Sequence, residues 1–242
     1  MPEPSLASFD WPLLRSLNAA AVRFPVLDTL FAHIMDLRPL TFALILMALW
    51  YYWFDDGSRL KPQELRGRVA MTLAGGFVAL VIGRLLAEAL PFRVRPFAVA
   101  ELGLRPLSIG TADMLRSWSS FPSDHATMVF ALSTGIWLIS RGVGAISFLI
   151  SIFFVCLPRV AMGLHFPSDI LGGAALGVLA TLALQAERIR APASALLLRL
   201  EQRYSGAFYA AMFLATFEIA RMFDDIREPV AIFFHVLHRH LP

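Results

Sequence analysis

Six apolar stretches, at about 39–54, 69–90, 125–140, 143–160, 168–186 and 206–223, constrain this chain more than any other feature. A helix needs roughly 20 residues to cross a bilayer's hydrocarbon. A backbone cut off from water there must pair its own N–H and C=O groups, which leaves helix as the form for such runs. The shorter stretches reach crossing length with less apolar flanks. Hydrophobic residues make up 57% of the 242, charged residues 16%, and the mean hydropathy is +0.65, far from the balance of a soluble globular domain. The expected fold is therefore all-α, a polytopic membrane bundle of about six transmembrane helices.

Residues of about 10–36 differ: Trp11, Leu13, Leu14, Leu17, Val22 and Leu27 alternate with Arg15, Asn18, Arg23 and Asp28. That pattern predicts one or two amphipathic helices lying in the membrane interface. We expect one membrane domain over 1–242, with 1–38 interfacial, a functional core over 69–186, and a last span and interfacial tail over 187–242. No basic flank followed by an apolar core opens the chain, so no cleavable signal peptide is expected. Of the 21 basic residues only Lys61 is a lysine. The arginines are dispersed rather than gathered into a patch, which argues against nucleic acid as a partner. Cys156, the single cysteine, lies inside an apolar run and reads as a small buried hydrophobe.

Basic residues assign sides. Arg59, Lys61, Arg66 and Arg68, then Arg141, then Arg188, Arg190, Arg199 and Arg203 occupy segments that alternate to one face, taken as cytoplasmic. The segments of about 91–124 and 161–167 fall on the opposite face. Both hold the tetrapeptide Phe-Pro-Ser-Asp beside a histidine: Phe121-Pro122-Ser123-Asp124-His125, and His165-Phe166-Pro167-Ser168-Asp169. Proline suits the first turn of a helix. The free N–H groups and dipole of that turn attract negative charge.

Arg93, Arg95 and Arg159 join these helix mouths at the same level. Guanidiniums grip phosphate oxygens in a fork, and helix-start N–H groups add donors without adding charge. A phosphoryl group is the guest this arrangement suits. One histidine can attack phosphorus while the other protonates the departing oxygen. Asp169 lies four residues after His165 and can reach back to its ring, whereas His125 has no such partner. His165 is thus expected as nucleophile, Asp169 as its orienter, and His125 as general acid and then base for water.

The spacing Pro158-Arg159, five residues, His165, three residues, Asp169, with Pro122-Ser123-Asp124-His125 and Arg95-Pro96 upstream, resembles the type-2 phosphatidic acid phosphatase superfamily. The resemblance covers about 69–186. It implies a six-span bundle, a metal-independent site without cofactor, a phosphohistidine at His165, and phosphate contacts from Arg95, Ser123 and Arg159. The Pro-Ser-Asp-His form is similar to that of bacterial undecaprenyl-diphosphate phosphatases of the bacitracin-resistance type. This implies a lipid diphosphate substrate, undecaprenyl diphosphate first, and a bacterial cytoplasmic membrane with the site on the outer, periplasmic face. Phosphatidic acid, phosphatidylglycerol phosphate, transfer to a lipid acceptor, and silent lipid-phosphate binding or transport are the alternatives.

Three positions depart from the family pattern: Pro158 where the family has serine, a local change, and two that bear on charge. Glu88 stands where the family has lysine, and Asp124 where it has glycine. An ion pair with Arg84, four residues earlier, is the plain reading of Glu88. The sharper one has Glu88 orienting Arg93, which then replaces the lysine in the phosphate grip. Asp124 would repel phosphate unless it points away or is neutralised. His165 and Asp169 alone would more often be a structural cap pair. With His125 they could ligate a metal, against which the surrounding arginines argue. His235, His238 and His240 read as part of an interfacial tail, and Asp224, Asp225 and Glu228 as a solvated loop.

Overall fold

The computed structural model describes residues 4–55, 57, 60–104 and 116–224, with backbone alone for 4–8. His235, His238, His240, Asp225, Glu228, Arg59 and Arg105 lie outside the described residues. Among the described residues the chain is helical throughout: α1 Pro4–Arg23, α2 Pro25–Asp36, α3 Arg38–Phe54, α4 Pro62–Ala89, α5 Asp124–Ile139, α6 Arg141–Ala161, α7 Pro167–Gln185, α8 Glu187–Arg203 and α9 Ser205–Ala220. Two short 3-10 turns, Pro96–Ala98 and Ala100–Leu102, lie between α4 and α5. Proline opens α2, α3, α4 and α7 at the first or second position, where its missing N–H costs nothing and its fixed φ suits the helix.

Three helices, α4, α6 and α7, are each long and apolar enough to cross a membrane. The pair α2 and α3, bent by 60° at Leu37, would make a fourth if it forms one broken span. This departs from the expected six. α9 is apolar but has 16 residues. α5 also has 16, about 24 Å at ~1.5 Å per residue, and it is enclosed rather than lipid-facing: Met128, Val129, Leu132 and Ile136 are fully buried.

Small residues set how closely α5 is held. A Cβ on Gly177 of α7 would meet the backbone of α5, with the Ala131 nitrogen at 2.9 Å, and one on Gly135 of α5 would strike Thr72 of α4. Phe42, Ile45 and Leu49 of α3, Val69 and Leu80 of α4, and Ile219 of α9 complete the core around it. The outer faces carry exposed large apolar side chains, among them Met47, Phe77, Leu85, Ile146, Phe153, Leu179 and Phe213. An apolar surface this extensive is what hydrocarbon covers.

Within α6 the residues Ser151–Cys156 wind as a π-helix just before Pro158. Proline cannot donate to the helical ladder and its ring crowds the carbonyl four residues back, and the wider turn relieves that conflict. Residues 187–203, read from sequence as a basic connecting segment, form α8. It packs on the start of α4, where Arg66 donates to Glu201 at 3.1 Å and Gln185 of α7 donates to the Arg68 carbonyl at 2.8 Å.

The N-terminal helix is anchored more firmly than an interfacial helix requires. Asp10, Leu14, Asn18 and Ala21 form one buried stripe at helical spacing, and Asn18 donates to the Ala161 carbonyl at 3.0 Å. α2, in contrast, buries no residue.

The end of α4, the start of α5, the end of α6 and the start of α7 meet in one layer. Backbone bonds tie it together: Phe97 N–H to Gly163 O at 2.9 Å, Ser120 N–H to Arg93 O at 2.8 Å, and Ser123 N–H to Asp169 O at 3.1 Å.

Candidate active site

Asp169 is the third residue of α7, and its buried carboxylate turns back to accept the Phe166 N–H at 2.7 Å, capping the helix. The same carboxylate accepts the Ser120 hydroxyl and, at 2.5 Å, an N–H of Arg93. It therefore serves as a hub that joins the loop before α5 to the segment after α4.

His165, in the turn between α6 and α7, sits against this hub. Its Nδ1 is 2.9 Å from the Ser120 carbonyl and 3.6 Å from Asp169 Oδ2. The second distance lies outside hydrogen-bond range but within range of charge. A carbonyl only accepts, so Nδ1 carries the proton and Nε2 is left with its lone pair. Nε2 faces Arg95 Nη1 at 3.3 Å, and that nitrogen also donates to the Leu164 carbonyl at 3.0 Å. The expected orienter of the ring thus acts indirectly, by charge and by holding Ser120.

Burial pushes the His165 imidazole below its ordinary value, Arg95 and Arg159 push the same way, and Asp169 opposes them. A depressed value keeps the ring neutral at pH values where an exposed histidine would be protonated. If neutral His165 is required, kcat/KM measured against pH holds as pH falls through the ordinary imidazole range of about 6.5 and drops only below it. An acid limb at or above that range would contradict this assignment.

Arg159 and Ser123 complete the layer. The Arg159 Nη1 donates to the Val155 carbonyl at 2.7 Å, in the rewound stretch of α6. Its Nη2 and the Ser123 hydroxyl are buried without a hydrogen-bond partner. Leaving a buried donor unsatisfied costs about 1–3 kcal/mol, more for a charged one. Two such donors beside Arg95 and His165 make a cradle suited to an acceptor-rich anion.

His125, in the first turn of α5, is half-buried. Its Nε2 lies 3.5 Å from Arg38 Nη1, and Phe42 meets its ring edge-on with centroids 6.3 Å apart. Arg38 is a participant not anticipated from sequence, although Arg38-Pro39 marks a helix start just as Phe166-Pro167 does. Asp124 pairs with Arg84, which neutralises its carboxylate.

Arg84 is therefore taken by Asp124 rather than by Glu88. The guanidinium of Arg93 lies over the Phe166 ring and bridges carboxylates: Asp169, and Asp10 of α1 at 2.7 Å. Asp10 also accepts the Ser168 N–H at 2.8 Å and the Ser168 hydroxyl at 2.6 Å. The carboxylates that orient Arg93 are thus Asp10 and Asp169. Glu88 is exposed at the end of α4. Arg93 is engaged in holding Asp169, a different task from the phosphate grip expected of it. Among the described residues no group of three or more His, Cys, Asp or Glu is placed to hold a metal ion.

A family model described as the PAP2 superfamily matches residues 64–187, which include every site residue above except Asp10, Arg38 and Phe42. The chain is 25% identical over 170 residues to "Undecaprenyl-diphosphatase BcrC" of Bacillus subtilis (strain 168), covering 70% of this chain and 79% of that protein. It is 27% identical over 173 residues to "Bacitracin transport permease protein BcrC" of Bacillus licheniformis, covering 69% and 78%. No solved structure gives a significant match.

Proposed function

The chain belongs to the PAP2 superfamily and is a lipid phosphatase of that family, and we propose that its substrate is undecaprenyl diphosphate and that His165 is the nucleophile. The observation that carries the mechanism is the histidine's tautomer: the Ser120 carbonyl accepts a hydrogen bond from Nδ1–H, which leaves the Nε2 lone pair beside Arg95. In the proposed reaction Nε2 attacks the terminal phosphorus, the bond to the inner phosphate oxygen breaks, and protonated His125 gives its proton to that oxygen. Undecaprenyl phosphate leaves. Neutral His125 then takes a proton from water, whose oxygen displaces the imidazole and releases inorganic phosphate.

Arg95, Arg159, Ser123 and the start of α5 would hold the three equatorial oxygens, where charge gathers in the transition state. No metal is needed in this scheme, because the arginines already supply the positive field. In the membrane we propose six passes, α3, α4, α5, α6, α7 and α9, with the site on the outer face and the Arg66 and Arg68 end in the cytoplasm. The substrate reading is supported by the similarity to the B. subtilis undecaprenyl-diphosphatase and by the Pro-Ser-Asp-His form of the α5 start.

The test is phosphate release by purified protein in detergent, with chelator, on undecaprenyl diphosphate, phosphatidic acid and phosphatidylglycerol phosphate. Undecaprenyl diphosphate should be the fastest, and chelator should leave the rate unchanged. Faster turnover of phosphatidic acid would overturn the substrate. Complete loss in chelator, restored by added metal, would overturn the histidine mechanism.

A further inference from the structure

Arg38 carries an inference that rests on the diphosphate reading above and makes it more specific. It is the first residue of α3 and lies outside the residues matched by the family model. One N–H end of its guanidinium is 3.5 Å from His125 Nε2 and the other is 3.5 Å from Asp224. The pair with Asp224 is loose and about a third exposed on both sides, the kind of ion pair that contributes little to stability. The guanidinium can therefore turn from Asp224 to a better acceptor at small cost.

Its position relative to the two histidines decides which acceptor. Arg95 stands at His165, Arg38 stands at His125, and Arg159 feels the charge of both. The site thus has one guanidinium at the nucleophile and another at the general acid. A single phosphoryl group held for attack by His165 uses the Arg95 and Arg159 end. In-line displacement puts the leaving group on the opposite side of phosphorus, which is the His125 and Arg38 end. When the substrate is a monophosphate, the leaving group there is one alkoxide oxygen that needs only a proton. When it is a diphosphate, the leaving group is a phosphate whose own nonbridging oxygens bring negative charge beside His125.

We propose that Arg38 is a specificity-determining residue that binds the inner phosphoryl group of a lipid diphosphate, so that the site favours diphosphates over monophosphates. The bidentate fit of guanidinium to phosphate supplies the contact, and the leaving phosphate's growing charge makes the contact stronger in the transition state than before it.

Farnesyl diphosphate and farnesyl monophosphate test this, because they share one tail and differ by one phosphoryl group. With Arg38→Gln, kcat/KM on the diphosphate should fall about tenfold to a hundredfold further than on the monophosphate, the worth of a charged hydrogen bond; a fall on the monophosphate reports the lost contact with His125. Arg38→Lys should recover part of the loss. Thermal unfolding in detergent, compared with the wild type, shows separately whether the variant is folded. An equal fall on both substrates, or no fall on either, would overturn the proposal. The wild-type preference between the two substrates reports separately on the diphosphate reading, and the variant-to-wild-type ratio on each reports on Arg38. The two ideas therefore fail independently.

Discussion

Replacing His165 with asparagine is expected to reduce turnover to background, while His125→Ala loses about a hundredfold to ten-thousandfold, the usual worth of general acid–base catalysis. Asparagine keeps the shape of the ring's near side but has no lone pair that can form an N–P bond. The reaction then has no covalent path. His125→Ala still has the nucleophile, with Arg95 and Arg159 beside it, so a substrate with a good leaving group can still transfer its phosphoryl group to His165. Hydrolysis of that intermediate should become the slow step. Because the proposed scheme has the two histidines act in one sequence, the double variant should be no worse than His165→Asn alone. Comparable residual turnover in both single variants, measured as kcat/KM on the same lipid diphosphate, would contradict the division of roles.

Asp169→Asn is the second large effect. The amide oxygen, placed where Oδ2 stands, can still accept from the Phe166 N–H and the Ser120 hydroxyl, but the NH2 group then faces the Arg93 guanidinium, donor against donor and without the carboxylate's charge. In a Ser-His-Asp triad the equivalent change costs about 10⁴ because the histidine adopts the wrong tautomer. Here the Ser120 carbonyl still accepts the Nδ1 proton at 2.9 Å. The loss should therefore be smaller, about 10²–10³ in kcat/KM. Removing the negative charge also lowers the affinity of His165 for a proton, so the acid limb of the pH profile should move further down. Asp10→Asn, one contact more distant, should cost about tenfold, as loss of an outer supporting contact usually does. A loss of 10⁴ or more at Asp169 would mean that it, and not Ser120, sets the tautomer.

Much of this site is legible along the chain because its parts are local. Asp169 reaches Phe166 and approaches His165 within one turn, and proline marks the helix start that carries it. The other contacts join residues far apart in sequence: Arg93 and Asp10 are separated by 83 residues, His165 and Ser120 by 45, and Arg38 and His125 by 87. No spacing rule connects such pairs. The only trace of Asp10 in the sequence is that an acidic residue falls on the otherwise mainly apolar stripe of α1. Glu88 stands out in the sequence because it breaks a pattern, yet folding leaves it exposed and gives Arg93 other carboxylates. The apolar runs likewise locate the helices better than they count the crossings. α5 is apolar because α4 and α7 enclose it, and enclosure by protein and by lipid select the same residues.

The most direct test of the central claim is to trap the covalent intermediate. His125→Ala protein would be mixed with radiolabelled farnesyl diphosphate, stopped within one turnover under alkaline conditions that preserve phosphohistidine, and the labelled peptide mapped by mass spectrometry. The account predicts label on His165, attached through Nε2, and none in the His165→Asn, His125→Ala double variant. Label on any other residue, or single-turnover phosphate release with no labelled protein at any time, would contradict it.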